Sequence, residues 1–141
     1  RIRPHSAELG LVPGEGVWRA LSEWPEASAE PGVLVLRFDV SFYFGNVQFL
    51  RKRIEEAMQR AELRGIVLGM YSVNAGDSAP ATSPDARAGA MEPRGVHLDL
   101  AAVKGPVKAR IRRAVALSRR FESRMHLTVT KAVAAVLASK A

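Results

Sequence analysis

The chain contains no cysteine among its 141 residues. Disulfide bonds and thiolate metal sites are therefore excluded, and a reducing compartment such as the cytosol is allowed. Long apolar runs are missing as well: the longest are VLVL at 33–36 and AVAAVLA at 132–138. Both are far shorter than the roughly 20 apolar residues that a membrane-spanning helix needs.

The sequence also lacks the motifs that mark common catalytic and cofactor sites. It has no phosphate-binding G-x-x-x-x-G-K-[ST] loop and no G-x-S-x-G nucleophile motif, and GEGVWR has Arg19 where a dinucleotide loop needs its third glycine. Glu55 and Glu56 are adjacent and diverge on a helix, so they do not form a carboxylate pair. The histidines have no metal-ligand spacing and are interpreted as structural: His5, His97 and His126. We therefore predict no enzyme activity, no cofactor and no metal site.

The composition is that of an ordinary globular domain, with 48% hydrophobic and 25% charged residues. A chain of this length suits one core, so we expect a single domain over 1–141. The chain begins with Arg1, and RIRPHS has no apolar signal core. We therefore expect it to be a segment of a longer protein.

The positive charge is concentrated in one segment, 104–124. Outside this segment basic and acidic residues cancel, so the segment, whose one acid is Glu122, carries the whole formal charge of +7. Its basic residues are Lys104, Lys108, Arg110, Arg112, Arg113, Arg119, Arg120 and Arg124.

Three interpretations of this basic segment are open. The simplest is a solvated face of a half-exposed helix. The second, built on the first seven of these cations (Lys104 to Arg120), is a surface for a partner or for an anionic membrane, where each cation gains about 1 kcal/mol. The third is nucleic acid, but no recognition motif is present and aromatic residues make up only 6%. We therefore predict no specific nucleic-acid partner.

Short apolar runs predict the strands of a sheet. VLVLRF, GIVLGMY and GVHLDL favour the central strands, placed at 33–38, 65–70 and 95–100. RPHSAELGLV indicates a further short strand before the turn PGEG. The following segment, GVWRALSEWPEASAEPG, is interpreted as irregular, with Trp18 and Trp24 packing on the core or covering the surface.

Apolar residues at three-and-four spacing predict helices over 46–62 and 106–117, with Leu50, Ile54 and Ile111 buried. TVTKAVAAVLASK predicts a last helix, for which Thr128 or Thr130 is the N-cap. The alternation of strands and helices indicates an α/β fold with a small, mixed central sheet flanked by helices.

Four stretches carry a resemblance to a known family: LGLVPGEGVWRALSEWPEA, EPGVLVLRFDVSFYFGN, RGVHLDLAAVKGPVKARIRRA and LTVTKAVAAV. From about residue 3 to about residue 137 the chain closely resembles the cytoplasmic STAS domain of SulP-type sulfate and anion permeases. The resemblance implies the STAS-like fold and a non-catalytic domain that regulates or stabilises a transporter working as a dimer. It also implies a place at the cytoplasmic face of the plasma membrane, with the transmembrane domain of the same permease as partner.

One departure from the family pattern is large. STAS domains typically carry D-S-[ST]-[GA] before a long helix, and the serine is a phosphorylation site in the related anti-sigma-factor antagonists. Here VNAGDSAP keeps Asp77 and Ser78 but continues with Ala79 and Pro80. Proline removes one backbone N–H that a phosphate would use. We therefore expect a mobile loop over 77–83 with Ser78 a solvated residue rather than a working phosphosite.

The segment after this loop lacks the leucine stripe of a core-facing helix. Any helix there is expected to run from about Pro84, which is tolerated as a first helical residue, to about Glu92, because Pro93 stops it. Two functions from different classes remain open. The first is a regulatory and assembly domain of a SulP-type permease. The second is a free-standing partner-switching module of the anti-sigma-antagonist kind.

Overall fold

A computed structural model of the chain describes residues 6–38, 52–60, 62–74, 95–113, 119 and 121–139. Its named strands are β1 (Ser6–Val12), β2 (Val17–Ala20), β3 (Val33–Phe38), β4 (Gly65–Gly69), β5 (His97–Ala101) and β6 (Met125–His126). Its named helices are α1 (Gly105–Arg113) and α2 (Val129–Ala138). Residues 52–57 are helical as well.

In the described part of the chain, the six strands form one sheet in the order β2-β1-β3-β4-β5-β6. β1 runs antiparallel to both β2 and β3, whereas β3, β4, β5 and β6 are mutually parallel. Parallel neighbours need crossover connections, and the helical residues 52–57 and α1 lie in two of these connections. The predicted α/β fold with a small mixed sheet and flanking helices is confirmed.

Each face of the sheet carries its own core, because successive strand residues point to opposite faces. Leu34 and Leu36 of β3 face the cluster that includes α1 and the helical residues 52–57. Val33 and Val35 face the cluster that includes α2. Strands buried on both faces lose polar alternation, which explains why β3 and β4 are continuous apolar runs in the sequence.

The predicted strands agree closely with the structure, whereas the helix predicted over 46–62 ends at residue 57 in the described part of the chain. β3 has the predicted bounds, β4 is one residue shorter, and β5 is displaced to His97–Ala101. Ile54 and Ile111 are buried as predicted, with 2% and 7% of their surface exposed. Leu50 lies outside the described residues.

The interpretation of 16–32 as irregular was wrong at its start. Residues Val17–Ala20 form β2, whose backbone pairs with β1 from Leu9↔Ala20 to Val12↔Val17. Only Ala20 of this edge strand is buried, so the apolar pattern that identifies a strand is weak.

Helix α2 is fixed to the sheet at both ends. Thr128 is its N-cap, with the side-chain oxygen accepting a hydrogen bond from the Lys131 amide at 3.1 Å. Near the same end, Trp18 Nε1 of β2 donates to Thr130 Oγ1 at 3.0 Å. At the other end, Arg64 Nη2 donates to the Ser139 carbonyl at 2.6 Å. These contacts hold the helix across the strands from β2 to β4.

Gly65 of β4 allows α2 to pack directly against the sheet. A Cβ atom at this position would lie 2.5 Å from Val136 Cγ1 and 3.3 Å from the His97 carbonyl oxygen. Gly65→Ala is therefore expected to lower the free energy of unfolding by about 1–3 kcal/mol, as overpacking does, measured by urea unfolding. Gly105→Ala is the matched control, because a Cβ there meets nothing within 4 Å.

The control should leave the urea midpoint near that of the wild type. Adding Val136→Ala to Gly65→Ala should cost less than the two single changes together, because the smaller side chain makes room for the new methyl group. A Gly65→Ala protein as stable as the Gly105→Ala protein would contradict this account of the packing.

Candidate interaction surface

Helix α1 holds the basic segment against the sheet through its apolar stripe. Val107 and Ile111 lie four residues apart, so they share one side of the helix, and both are buried in the core. Pro106 fits in the first turn, where its missing N–H has no intrahelical partner to lose. The Lys104 carbonyl accepts the Lys108 amide hydrogen bond at 2.8 Å, so the helix begins directly after Lys104.

The outward side of α1 combines small residues with arginines. Gly105, Pro106 and Ala109 are exposed and carry little or no side chain. Arg112 and Arg113 are exposed beside them. The backbone of α1 can therefore come close to a flat partner while the long cationic side chains reach past it.

Several cations in and after α1 lack an acidic partner in the described part of the chain. Within the described ranges, Lys108, Arg112, Arg113 and Arg119 form no salt bridge, and α1 itself contains no acidic residue. Lys104, Lys108 and Arg112 follow one another at intervals of four, a spacing at which like charges oppose helix formation by about 0.2–0.5 kcal/mol per pair.

The helix dipole accounts for part of this charge only. Arg110, Arg112 and Arg113 stand in the last turn, where cations are favourable. Lys104 stands at the opposite, positive end, where a cation is unfavourable and where Ser, Thr, Asp or Asn would be the better cap. Helix stability therefore does not explain the basic residue at the N-terminus of α1.

Lys104 connects two loops at the carboxyl edge of the parallel strands. Its Nζ donates to Asn74 Oδ1 at 3.0 Å, which ties the segment after β5 to the segment after β4. Between β5 and α1, Ala102 adopts a left-handed conformation with φ of 56°. Its amide donates to the His126 carbonyl at 2.9 Å, so the turn into α1 is also joined to β6.

A hydrogen-bonded pair of side chains lies on the face of the sheet opposite to α1. Asp99 of β5 is the one buried polar side chain among the described residues. His126 Nε2 of β6 donates to Asp99 Oδ2 at 2.6 Å, and the two side chains are 18% and 9% exposed respectively. The pair joins the last two strands of the sheet, so its position supports a structural role.

The structure places six of the predicted surface residues. Lys104, Arg112, Arg113 and Arg119 are exposed, whereas Lys108 and Arg110 are half-buried. Their exposure agrees with a surface helix, and their role as a binding surface stays a prediction. The remaining predicted sites lie outside the described residues: Arg120, Asp77, Ser78, the loop 77–83 and the helix from Pro84 to Glu92.

Sequence reasoning missed the partnership of Asp99 and His126. The signal was present in HLDL, because an aspartate between two buried leucines needs a hydrogen-bond partner. The identity of that partner depends on β6, a strand of two residues that pairs with β5 at Leu100↔Met125 and Ala101↔His126.

The part of the chain that the structure describes contains no cluster of three or more His, Cys, Asp or Glu side chains suited to a metal ion. None of the helices described is both long enough and apolar enough to span a bilayer.

Comparison with known proteins identifies the family. The model of the STAS domain family matches residues 25–132. High affinity sulfate transporter 2 of Stylosanthes hamata is 32% identical over 143 aligned positions, which cover 94% of this chain and 22% of the transporter. The chain therefore spans about a fifth of the length of this relative.

Two solved structures share the fold. The murine Solute Carrier 26 family member A9 anion transporter, in the inward-facing state, has a TM-score of 0.78 at 15% identity, covering 97% of this chain and 23% of the transporter. The anti-sigma factor antagonist SpoIIAA, in its unphosphorylated form, has a TM-score of 0.58 at 16% identity, covering 81% of this chain and 96% of the antagonist. Because the family model matches more than half of the chain, the chain belongs to the STAS domain family.

Proposed function

We propose that this chain is the non-catalytic regulatory and assembly domain of a SulP-type transporter for sulfate or another anion. The observation that carries the proposal is the alignment of 94% of the chain with 22% of a plant sulfate transporter. An alignment of this shape is expected when a nearly complete domain corresponds to one part of a larger membrane protein. The absence of phosphate-loop, nucleophile and metal-spacing motifs from the sequence supports a non-catalytic role.

The proposed main partner is the transmembrane domain of the same polypeptide, at the cytoplasmic face of the plasma membrane. The mixed sheet, with cores on both faces, forms a firm scaffold on which α1 and α2 present fixed surfaces. We expect a domain of this kind to stabilise or regulate the transporter by contact. In the full transporter, assembly into a homodimer is part of the same proposal.

The most direct test is the reading frame that encodes the chain. We expect it to continue upstream of Arg1 into ten or more apolar segments of about 20 residues each, as an α-helical transporter requires. A start codon close to Arg1, with no apolar segments in the frame, would instead support the free-standing partner-switching module. The likeness to SpoIIAA is one of fold and does not decide between the two.

Ser78 is not expected to act as a phosphorylation switch in the transporter. We predict that Ser78→Ala and Ser78→Asp transporters take up anion at the same rate, because Pro80 removes an N–H donor and Asp77 repels an added phosphate. The measurement is uptake by cells expressing the full transporter, together with mass spectrometry of the native protein. Stoichiometric phosphate on Ser78, or opposite changes in uptake for the two variants, would contradict the prediction.

A further inference from the structure

The outward side of α1 is a cationic surface whose chemistry selects its partner. Exposed positions on this helix are small or basic: Gly105, Pro106, Ala109, Arg112 and Arg113. Interface hot spots are mostly tryptophan, tyrosine and arginine residues that fill desolvated pockets, and this side offers arginines but no aromatic anchor. An acidic protein would therefore gain charge attraction here but little packing.

The apolar residues of α1 are already used. Val107 and Ile111 are buried in the core between the helix and the sheet, so they cannot insert into a bilayer. Helices that enter the membrane interface do so with a free apolar face. Binding through α1 must therefore be electrostatic and must take place at the level of the phosphates.

Nucleic acid also offers phosphates, but single-stranded nucleic acid is usually held by base stacking on aromatic side chains as well. Helix α1, with the sequence GPVKARIRR, contains no aromatic residue. Attachment to a transmembrane domain, in contrast, would hold the whole domain close to a bilayer.

We propose that the outward side of α1 rests on the anionic phospholipid headgroups of the membrane, with Arg112 and Arg113 as the main contacts and Lys104 and Lys108 adding charge. The proposal rests on the proposed function, because the tether explains why a weak, purely electrostatic contact suffices. Each cation near an anionic leaflet contributes about fivefold to binding. Because the contact is exposed, it weakens as salt shortens the Debye length from about 10 Å at 0.1 M to about 3 Å at 1 M.

The test is co-sedimentation of the 141-residue chain with two kinds of vesicle. One contains phosphatidylcholine alone, and the other contains equal parts of phosphatidylcholine and phosphatidylserine. Arg112→Gln combined with Arg113→Gln removes two exposed cations from α1. The matched control is Arg19→Gln combined with Lys131→Gln, which removes the same charge from exposed positions on β2 and α2.

We expect the wild-type chain to bind the phosphatidylserine vesicles and not the neutral ones, and to be released by 1 M salt. The α1 variant should bind about 25-fold more weakly, while the control should stay within a few-fold of the wild type. Thermal unfolding of both variants should match the wild type, because the substituted side chains are exposed.

Several results would overturn the proposal: equal binding to both vesicles, binding that resists salt, an equal loss in the two variants, or no vesicle binding at all. A chain that ignores vesicles but binds polyglutamate would assign the surface to an acidic protein. The vesicle result is independent of the reading frame. If the reading frame encodes membrane spans but the chain does not bind vesicles, only the lipid contact is overturned. If the chain binds vesicles but the frame encodes no membrane spans, only the proposed function is overturned.

Discussion

Ile54→Ala is expected to lower the free energy of unfolding by about 2–5 kcal/mol. Ile54 is 2% exposed and packs in the core cluster between the helical residues 52–57 and the sheet, together with Leu36 and Leu68. Removing three side-chain carbons there loses the transfer free energy of the buried groups and leaves a cavity that the surrounding strands cannot fill. Urea unfolding followed by circular dichroism measures the change.

Glu56→Ala is the control for this prediction. Glu56 belongs to the same helical stretch but is exposed, so its replacement should change the stability by less than about 0.5 kcal/mol. If Ile54→Ala and Glu56→Ala unfold at the same urea concentration, the helical stretch does not pack on the sheet in the way described.

Asp99→Ala should destabilise the domain by about 3 kcal/mol, because it leaves His126 without its partner in a mostly buried position. The interaction joins β5 to β6, and β6 has only two residues to hold it in the sheet. We therefore expect a larger loss of stability than the removal of a surface ion pair causes, since such a pair contributes only about 0–1 kcal/mol.

A double-mutant cycle separates this interaction from simple loss of volume. Asp99→Ala combined with His126→Ala should cost clearly less than the sum of the two single changes, because the second change removes a group that the first has already left unpaired. The surface pair of Arg60 and Glu8, whose atoms are 3.8 Å apart, is the comparison. Strict additivity at Asp99 and His126 would show that the hydrogen bond does not stabilise the fold.

The central strands were predictable because their environment is uniform. VLVLRF and GIVLG lie in β3 and β4 with helices over both faces, so nearly every residue in them is apolar. The same local information limited the N-cap of α2 to Thr128 or Thr130, because a capping threonine before an apolar helix is a signal that needs no tertiary contact, and the structure has Thr128.

The edges of the sheet were not predictable in this way. β2 has a single buried residue, Ala20, and β6 is too short to show any alternation. Both strands exist because a neighbouring strand offers backbone hydrogen bonds, which the local sequence does not record. Contacts across the chain were hidden for the same reason, including Trp18 to Thr130 and Lys104 to Asn74.

The candidate surface was predictable in part. Helical spacing separated the buried Val107 and Ile111 from the cations, so the exposure of Arg112 and Arg113 followed from the sequence. The burial of part of Lys108 and Arg110 did not, because it depends on which neighbouring elements flank α1. The clustered charge of α1 identifies a candidate surface in the sequence, but the partner of that surface depends on the molecules that surround the domain.

The central claim is that this domain regulates or stabilises an anion transporter. Uptake by the full transporter tests that claim most directly. Cells expressing the transporter with Ile54→Ala and Asp99→Ala together, which should unfold the domain, are compared with cells expressing Glu56→Ala. Two quantities are measured: the amount of transporter at the cell surface, and the uptake of labelled sulfate corrected for that amount. We predict that at least one of them falls strongly in the double variant and that both stay at the wild-type level in the control. Full uptake and full surface amount in a transporter whose domain is shown by proteolysis to be unfolded would contradict the account.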